Sequence, residues 1–238
     1  MSTPSRRRIF ALGLGALSAV LLQPAKSNTS RTADINHVPN IDDLLEQTHT
    51  FLVSLNAADL APFLAVWPRT RERRANQPPA SLRVVRWLPQ VKTNAPASSA
   101  TLIGELLRLS PVLTWHQTYK QPMVAAAFLD NYGYTELIGL TGPVPGQRLA
   151  CGFLLLGPST PYPRHRHEAE EIYVPLSGTA AWQHGNQGWR DESPGTVIHH
   201  ASNEPHAMGT GVQPLLALYL WRSGNLNQKS RLDPADDT

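Results

Sequence analysis

Residues 161–178, PYPRHRHEAEEIYVPLSG, constrain this chain more than any other stretch. If residues 164–167 and 171–175 are extended on either side of a short turn, the two-residue period of a strand sends His165 and His167 to one face. Glu171 and Tyr173 then share one face of the returning segment. Four polar groups converge among the apolar neighbours Ile172, Val174 and Leu176. Burying two imidazoles, a carboxylate and a phenol together is costly unless something satisfies them, and a divalent metal ion does so.

The spacing His165-x-His167-x3-Glu171-x6-Gly178 resembles the first cupin motif. A second half follows in order: Gly188, the Pro194-Gly195 turn, and His206 within PGTVIHHASNEPHAMGT. The resemblance implies a mostly β fold, a cupin double-stranded β-helix or jelly-roll barrel, whose interior holds a metal and one small ligand. His206 is then the remote ligand.

The rest of the chain divides around that barrel. Residues 1–27 carry Arg6, Arg7 and Arg8, an apolar run at 11–22, and the small residues Ala25 and Ser27, the layout of an export signal. Paired arginines ahead of Phe10 resemble the twin-arginine type, which implies a periplasmic protein. Arg6, Arg7, Arg8 and Lys26 account for the formal charge of +3, so the remainder is slightly acidic and nucleic acid is not an expected partner. No other apolar run is long enough to span a bilayer, so no stable membrane insertion is expected after signal removal. The single cysteine, Cys151, has no internal disulfide partner and lies in an apolar strand pattern, which reads as a buried, inert thiol.

Residues 28–40 read as a linker and 41–112 as a helical segment packed on the outside of the barrel, which occupies 113–238. Helices are expected over 41–55, 57–66 and 100–109, with Asp42 and Asp43 favouring the start of the first. Between them, 69–99 is rich in Pro, Arg and Asn and shows no element. Its cluster Arg69, Arg71, Arg73 and Arg74 reads as a solvated face rather than an anion site. A short strand at 115–119 and a helix at 122–132 precede strands at 134–140, 148–156, 171–176, 179–184, 195–199 and 214–222, separated by Gly- and Pro-bearing turns.

The segments FLDNYGYTELIGLTGPV, YPRHRHEAEEIYVPLSG, NEPHAM and LYLWRSGNLNQKSRL together resemble the cupin-type bacterial dimethylsulfoniopropionate lyases, over residues 113–232. The resemblance implies a carbon–sulfur lyase that yields dimethyl sulfide and acrylate, with a tyrosine removing the proton next to the carboxylate. It implies His167, Glu171 and His206 as metal ligands, with Tyr173 at the metal and acting as base. Tyr162 and His165 are implied pocket residues with roles in binding or proton transfer. His165 is a pocket residue first and a ligand second.

This chemistry is consistent with these side chains. A phenol is a useful base only if its anion is stabilised, which a dication beside Tyr173 achieves. The substrate's sulfonium has no hydrogen to donate and calls for aromatic walls, for which Tyr162, Trp182, Tyr219 and Trp221 are candidates. The donor set suits zinc, iron, manganese, nickel and cobalt without separating them, and zinc or iron is the expected occupant. His37, His49 and His184 are assigned no role, and His199 and His200 a supporting rather than a ligating one. Two other readings stay open: a cupin enzyme (lyase, isomerase or dioxygenase) for another small carboxylate, and a non-catalytic small-ligand-binding cupin. The constellation of Tyr162, His165 and Tyr173 favours an enzyme. Oligomeric state is not specified, a homodimer being one option.

Overall fold

The computed structural model describes residues 40–70, 72–74 and 78–233. The expected signal and linker, apart from Asn40, and Arg71 of the basic cluster lie outside the described residues. The described part opens on α1 (Ile41–Ser54), whose first turn is capped by Asn40 Oδ1 accepting from the Asp42 N–H at 3.0 Å. Leu44, Leu45, Thr48, Phe51 and Leu52 recur at helical spacing and are buried. The second expected helix is a 3₁₀ turn running into the short α2 (Ala61–Leu64).

The Pro- and Arg-rich region is not elementless as expected. A 3₁₀ turn at Arg83–Trp87 leads into α3 (Leu88–Thr93), with Pro89 in its first turn, where a proline removes no helical hydrogen bond. Of its arginines Arg69 is exposed, in keeping with a solvated face, whereas Arg73 and Arg74 are half-buried and bonded to the protein. Arg73 Nε donates to Asp42 Oδ1 at 2.8 Å, and Arg74 Nη1 donates to the carbonyls of Gly139 and Gly142 at 2.9 and 2.7 Å. α4 (Ala97–Leu109) then brings Leu102, Ile103 and Leu106 inward. The helix expected at 122–132 is a single turn, α5 (Ala126–Leu129), because Tyr132 already opens a strand that pairs with its neighbour.

Twelve strands follow one another: β1 (Trp115–His116), β2 (Tyr132–Gly139), β3 (Val144–Pro145), β4 (Leu149–Leu156), β5 (Pro161–Arg166), β6 (Glu170–Ser177), β7 (Ala180–His184), β8 (Arg190–Glu192), β9 (Ile198–His200), β10 (His206–Thr210), β11 (Leu215–Arg222) and β12 (Arg231–Leu232). One sheet runs β1-β2-β4-β11-β6-β9, with β3 beside β2, and the other runs β12-β5-β10-β7-β8. Apart from the parallel β2–β3 pair, the strand pairs are antiparallel. This is the mostly β, jelly-roll architecture that the motif spacing implies.

The large sheet is buried on both faces. Along β6, Ile172, Val174 and Leu176 join the core shared with the helices, and β11 does the same with Leu216, Leu218 and Leu220. The alternate residues Tyr173, Leu215, Ala217 and Tyr219 face the barrel interior. The helices cover the outer face, and alternation along β6 leaves Glu171 and Tyr173 on the inner one. Gly178 turns the chain out of β6 at φ +80°, and a Cβ there would lie 2.2 Å from the Pro214 carbonyl oxygen, so no other residue fits. Cys151 is fully buried in the outer core, and burial raises its thiol pKa, as expected of an inert residue.

Candidate metal centre

The approach strand is irregular where the site is built. Opposite β10, His165 pairs with His206 and Tyr162 with Met208, so three steps along β5 match two along β10. Strict alternation would put Tyr162 and His165 on opposite faces. The bulge turns both inward, and their rings stack with centroids 4.2 Å apart. His167 lies just past the end of β5 and is buried with them.

His167, Glu171 and His206 come together in the interior, their donor atoms all within 4.8 Å of one another. His167 Nε2 is 2.9 Å and His206 Nε2 3.1 Å from the same oxygen, Glu171 Oε2. Each imidazole is oriented by its own backbone: His167 Nδ1 meets the Ala169 carbonyl at 2.9 Å, and His206 Nδ1 meets that of Glu204 at 2.9 Å. A carbonyl only accepts, so both Nδ1 atoms carry hydrogen, and Nε2 is the nitrogen left to bind at the site. His165 follows the same pattern through Pro163, at 2.8 Å, and its Nε2 has no partner.

Two ring nitrogens and a carboxylate oxygen this close require positive charge between them. The Glu171 carboxyl is opposed by burial, yet His167 and His206 hold it well below the usual carboxylate range, so it is ionised. Burial, and after it the adjacent His206, drives the His165 pKa well below its ordinary value, leaving a neutral ring. Burial, then the charge of Glu171, pushes the Tyr173 phenol well above 10. Two neutral-capable imidazoles and a carboxylate form a donor set that fits a divalent cation, and the buried carboxylate demands one or its equivalent in protons.

Neighbours hold these groups. Trp221 faces Glu171 across β11 and β6, donates Nε1–H to Glu171 Oε1 at 2.6 Å, and stacks on His167 at 4.1 Å. Strand register brings it there. Sequence reading placed Trp221 only among aromatic walls, and alternation within LYLWR was the one available signal for its inward side. The two adjacent histidines part ways: His199 Nε2 bonds Glu170 Oε1 at 2.9 Å outside the barrel, while His200 is buried beside His206. Burial, then His206, pushes His200 down to about 2.

A cavity of about 200 Å³ opens onto Glu171 and Tyr173 and is walled by Tyr132, Tyr134, Tyr162, Tyr219 and Trp221. Residues 226–230 cover one side. The volume is below the roughly 300–1,000 Å³ of pockets for drug-sized ligands, which limits the occupant to a small molecule. Trp182 does not line it. That residue lies fully buried against Tyr173, with ring centroids 5.0 Å apart, and is removed from the candidate aromatic walls. Tyr132 and Tyr134 enter in its place, and Tyr119 stands behind, its hydroxyl 3.4 Å from that of Tyr162. Burial pushes the Tyr119 phenol up to about 12.

The profile of the dimethylsulfoniopropionate lyase family matches residues 64–217. The chain belongs to that family. It is 34% identical over 145 residues to the dimethylsulfoniopropionate lyase DddQ of Ruegeria pomeroyi, covering 61% of this chain and 70% of that one. Among solved structures, it superposes on DddQ of Ruegeria pomeroyi DSS-3 with a TM-score of 0.74 at 27% identity, over 83% of this chain and 98% of that one. A chain from the crystal structures of the DMSP lyases RdDddP and RnDddQII gives 0.74 at 31% identity, over 82% and 97%. Family membership makes this a carbon–sulfur lyase fold with a small-molecule cavity, and the matched region contains the whole His167, Glu171 and His206 cluster.

Proposed function

We propose that this lyase cleaves dimethylsulfoniopropionate to dimethyl sulfide and acrylate by a metal-dependent β-elimination in which Tyr173 is the base. What supports this reading is that Tyr173 and Glu171 open onto one small cavity that Tyr132, Tyr134, Tyr162, Tyr219 and Trp221 also line, beside polar and aliphatic residues such as Thr118, Glu136 and Leu154. Tyr134, Tyr162, Tyr219 and Trp221 offer ring faces to a sulfonium, which they attract without needing a hydrogen bond.

Tyr173 takes the proton from the carbon next to the carboxylate. The electrons of that C–H bond form the new carbon–carbon double bond, and the carbon–sulfur pair leaves with sulfur, giving neutral dimethyl sulfide. His167, Glu171 and His206 would hold a divalent ion, which when bound would supply positive charge for the substrate carboxylate, offset negative charge developing at the deprotonated carbon and make the phenolate of Tyr173 accessible. We assign zinc or iron among the divalent ions, manganese, nickel and cobalt included, that this donor set accepts. We assign Tyr173 as base and as the phenol at the metal. Tyr162 lines the cavity and the neutral His165 stacks on it, and we assign the pair to binding or proton transfer.

The test is headspace dimethyl sulfide from metal-loaded protein given dimethylsulfoniopropionate, beside His206→Ala. Release from the wild type alone is expected. No release from folded, metal-bound wild type would redirect the assignment to another small carboxylate.

A further inference from the structure

The three groups gathered around Glu171 Oε2 come from different layers of the barrel. Glu171 belongs to β6 of the large sheet, His206 to β10 of the small one, and His167 to the connection between β5 and β6. Facing sheets are joined by side-chain packing, not by backbone hydrogen bonds. Something other than strand pairing must therefore hold the separation of Glu171 and His206.

His200 spans that gap. It is paired directly with Glu171 in the register of β6 and β9, so its backbone moves with the large sheet. Its ring nevertheless lies flat on His206 of the small sheet, with centroids 4.1 Å apart and 14° between the planes. His184, opposite His206 on β7, backs His200 from another direction at 4.6 Å. The imidazole of His206 is otherwise tethered at Nδ1 by the Glu204 carbonyl and at Nε2 by Glu171 Oε2, and is met edge-on by His165 at 4.2 Å, His167 at 5.3 Å and Tyr173 at 6.3 Å. A ring tethered at its two nitrogens can still rock about the line between them, and a flat neighbour at stacking distance, which His200 alone supplies among these contacts, removes that freedom.

We propose that His200 is a positioning residue: by lying face to face on His206 across the two sheets, it fixes the direction of His206 Nε2 and thereby sets the affinity of the site for its metal. The proposal rests on the metal reading of the cluster and adds to it a residue that touches neither metal nor substrate.

The experiment is zinc affinity of the full chain, measured by competition with a chromogenic chelator, for wild type, His200→Ala and His200→Phe. Removing a group that orients a ligand costs about 10–100-fold in metal affinity, which is the loss expected for Ala, while Phe, a flat ring of similar width, is expected within about threefold of wild type. Thermal unfolding of the metal-free variants is recorded beside it, because a merely structural residue would lower Tm without moving the affinity. If His200→Ala does not fold, His200→Leu, which fills the space without a flat face, takes its place and must show the same loss. Wild-type affinity in Ala or Leu, or a Phe variant as weak as Ala, overturns the proposal. Failure of the wild type to take up zinc would overturn the metal reading itself, an outcome distinct from equal binding by all variants.

Discussion

Trp221 Nε1 donates to Glu171 Oε1 at 2.6 Å, leaving Oε2 free to face His167 and His206. One carboxylate oxygen is thus committed to orientation and the other to the cluster. Because the indole also stacks on His167 at 4.1 Å, a single side chain aligns two of the three candidate ligands.

Trp221→Phe keeps the stack and deletes the hydrogen bond. Metal affinity is expected to fall about 10-fold or more, and chelator competition on the purified variant measures it. Affinity equal to wild type would show that the indole N–H contributes nothing to the site.

Tyr173→Phe should keep fold and metal content while losing elimination. A general base contributes roughly 10²–10⁴ in rate, so kcat is expected to drop by at least about 100-fold with bound metal unchanged. Headspace dimethyl sulfide and metal analysis of one sample decide it. Retained turnover would move the base to Tyr162 or His165.

Protons and metal compete for the same atoms. Glu171 Oε2 and the Nε2 atoms of His167 and His206 must be unprotonated to bind a cation, so metal affinity is expected to fall as pH is lowered, with protons taken up on release. Titration calorimetry in buffers of different ionisation enthalpy counts those protons. Prolonged chelation at mildly acidic pH should abolish dimethyl sulfide release, and restored zinc or ferrous iron should return it.

Gly178→Ala tests the turn that ends β6. At φ +80°, with the Pro214 oxygen 2.2 Å from where the methyl carbon would sit, the variant must shift backbone to fold. A loss of about 1–3 kcal/mol is expected from urea unfolding. An unchanged midpoint would mean that the loop before β11 yields without cost.

The cluster at 165–173 was legible in the sequence because it is local. Nine residues, a period of two and one turn put His165 and His167 on one face and Glu171 and Tyr173 on one face, and all four are buried. The bulge that adds Tyr162 was not legible, since it depends on how β10 pairs with β5. The helical turn at Arg83–Trp87 and α3 was hidden by composition, within a stretch rich in Pro, Arg and Asn, although Pro89 stands where a helix tolerates a proline. For the aromatic residues, sequence could not separate wall from core: Trp182 and Trp221 alternate in similar strands, and only one reaches the cavity.

The sequence by itself determined the family, the jelly-roll fold and the candidate ligands, because motif spacing and strand alternation are properties of neighbours along the chain. The tertiary structure decided which distant residues complete the site: Trp221 on Glu171, His200 on His206, Tyr132 and Tyr134 around the cavity, and residues 226–230 across it. Those relations are set by strand register and by the packing of two sheets, which join residues far apart in the chain and leave no local signature.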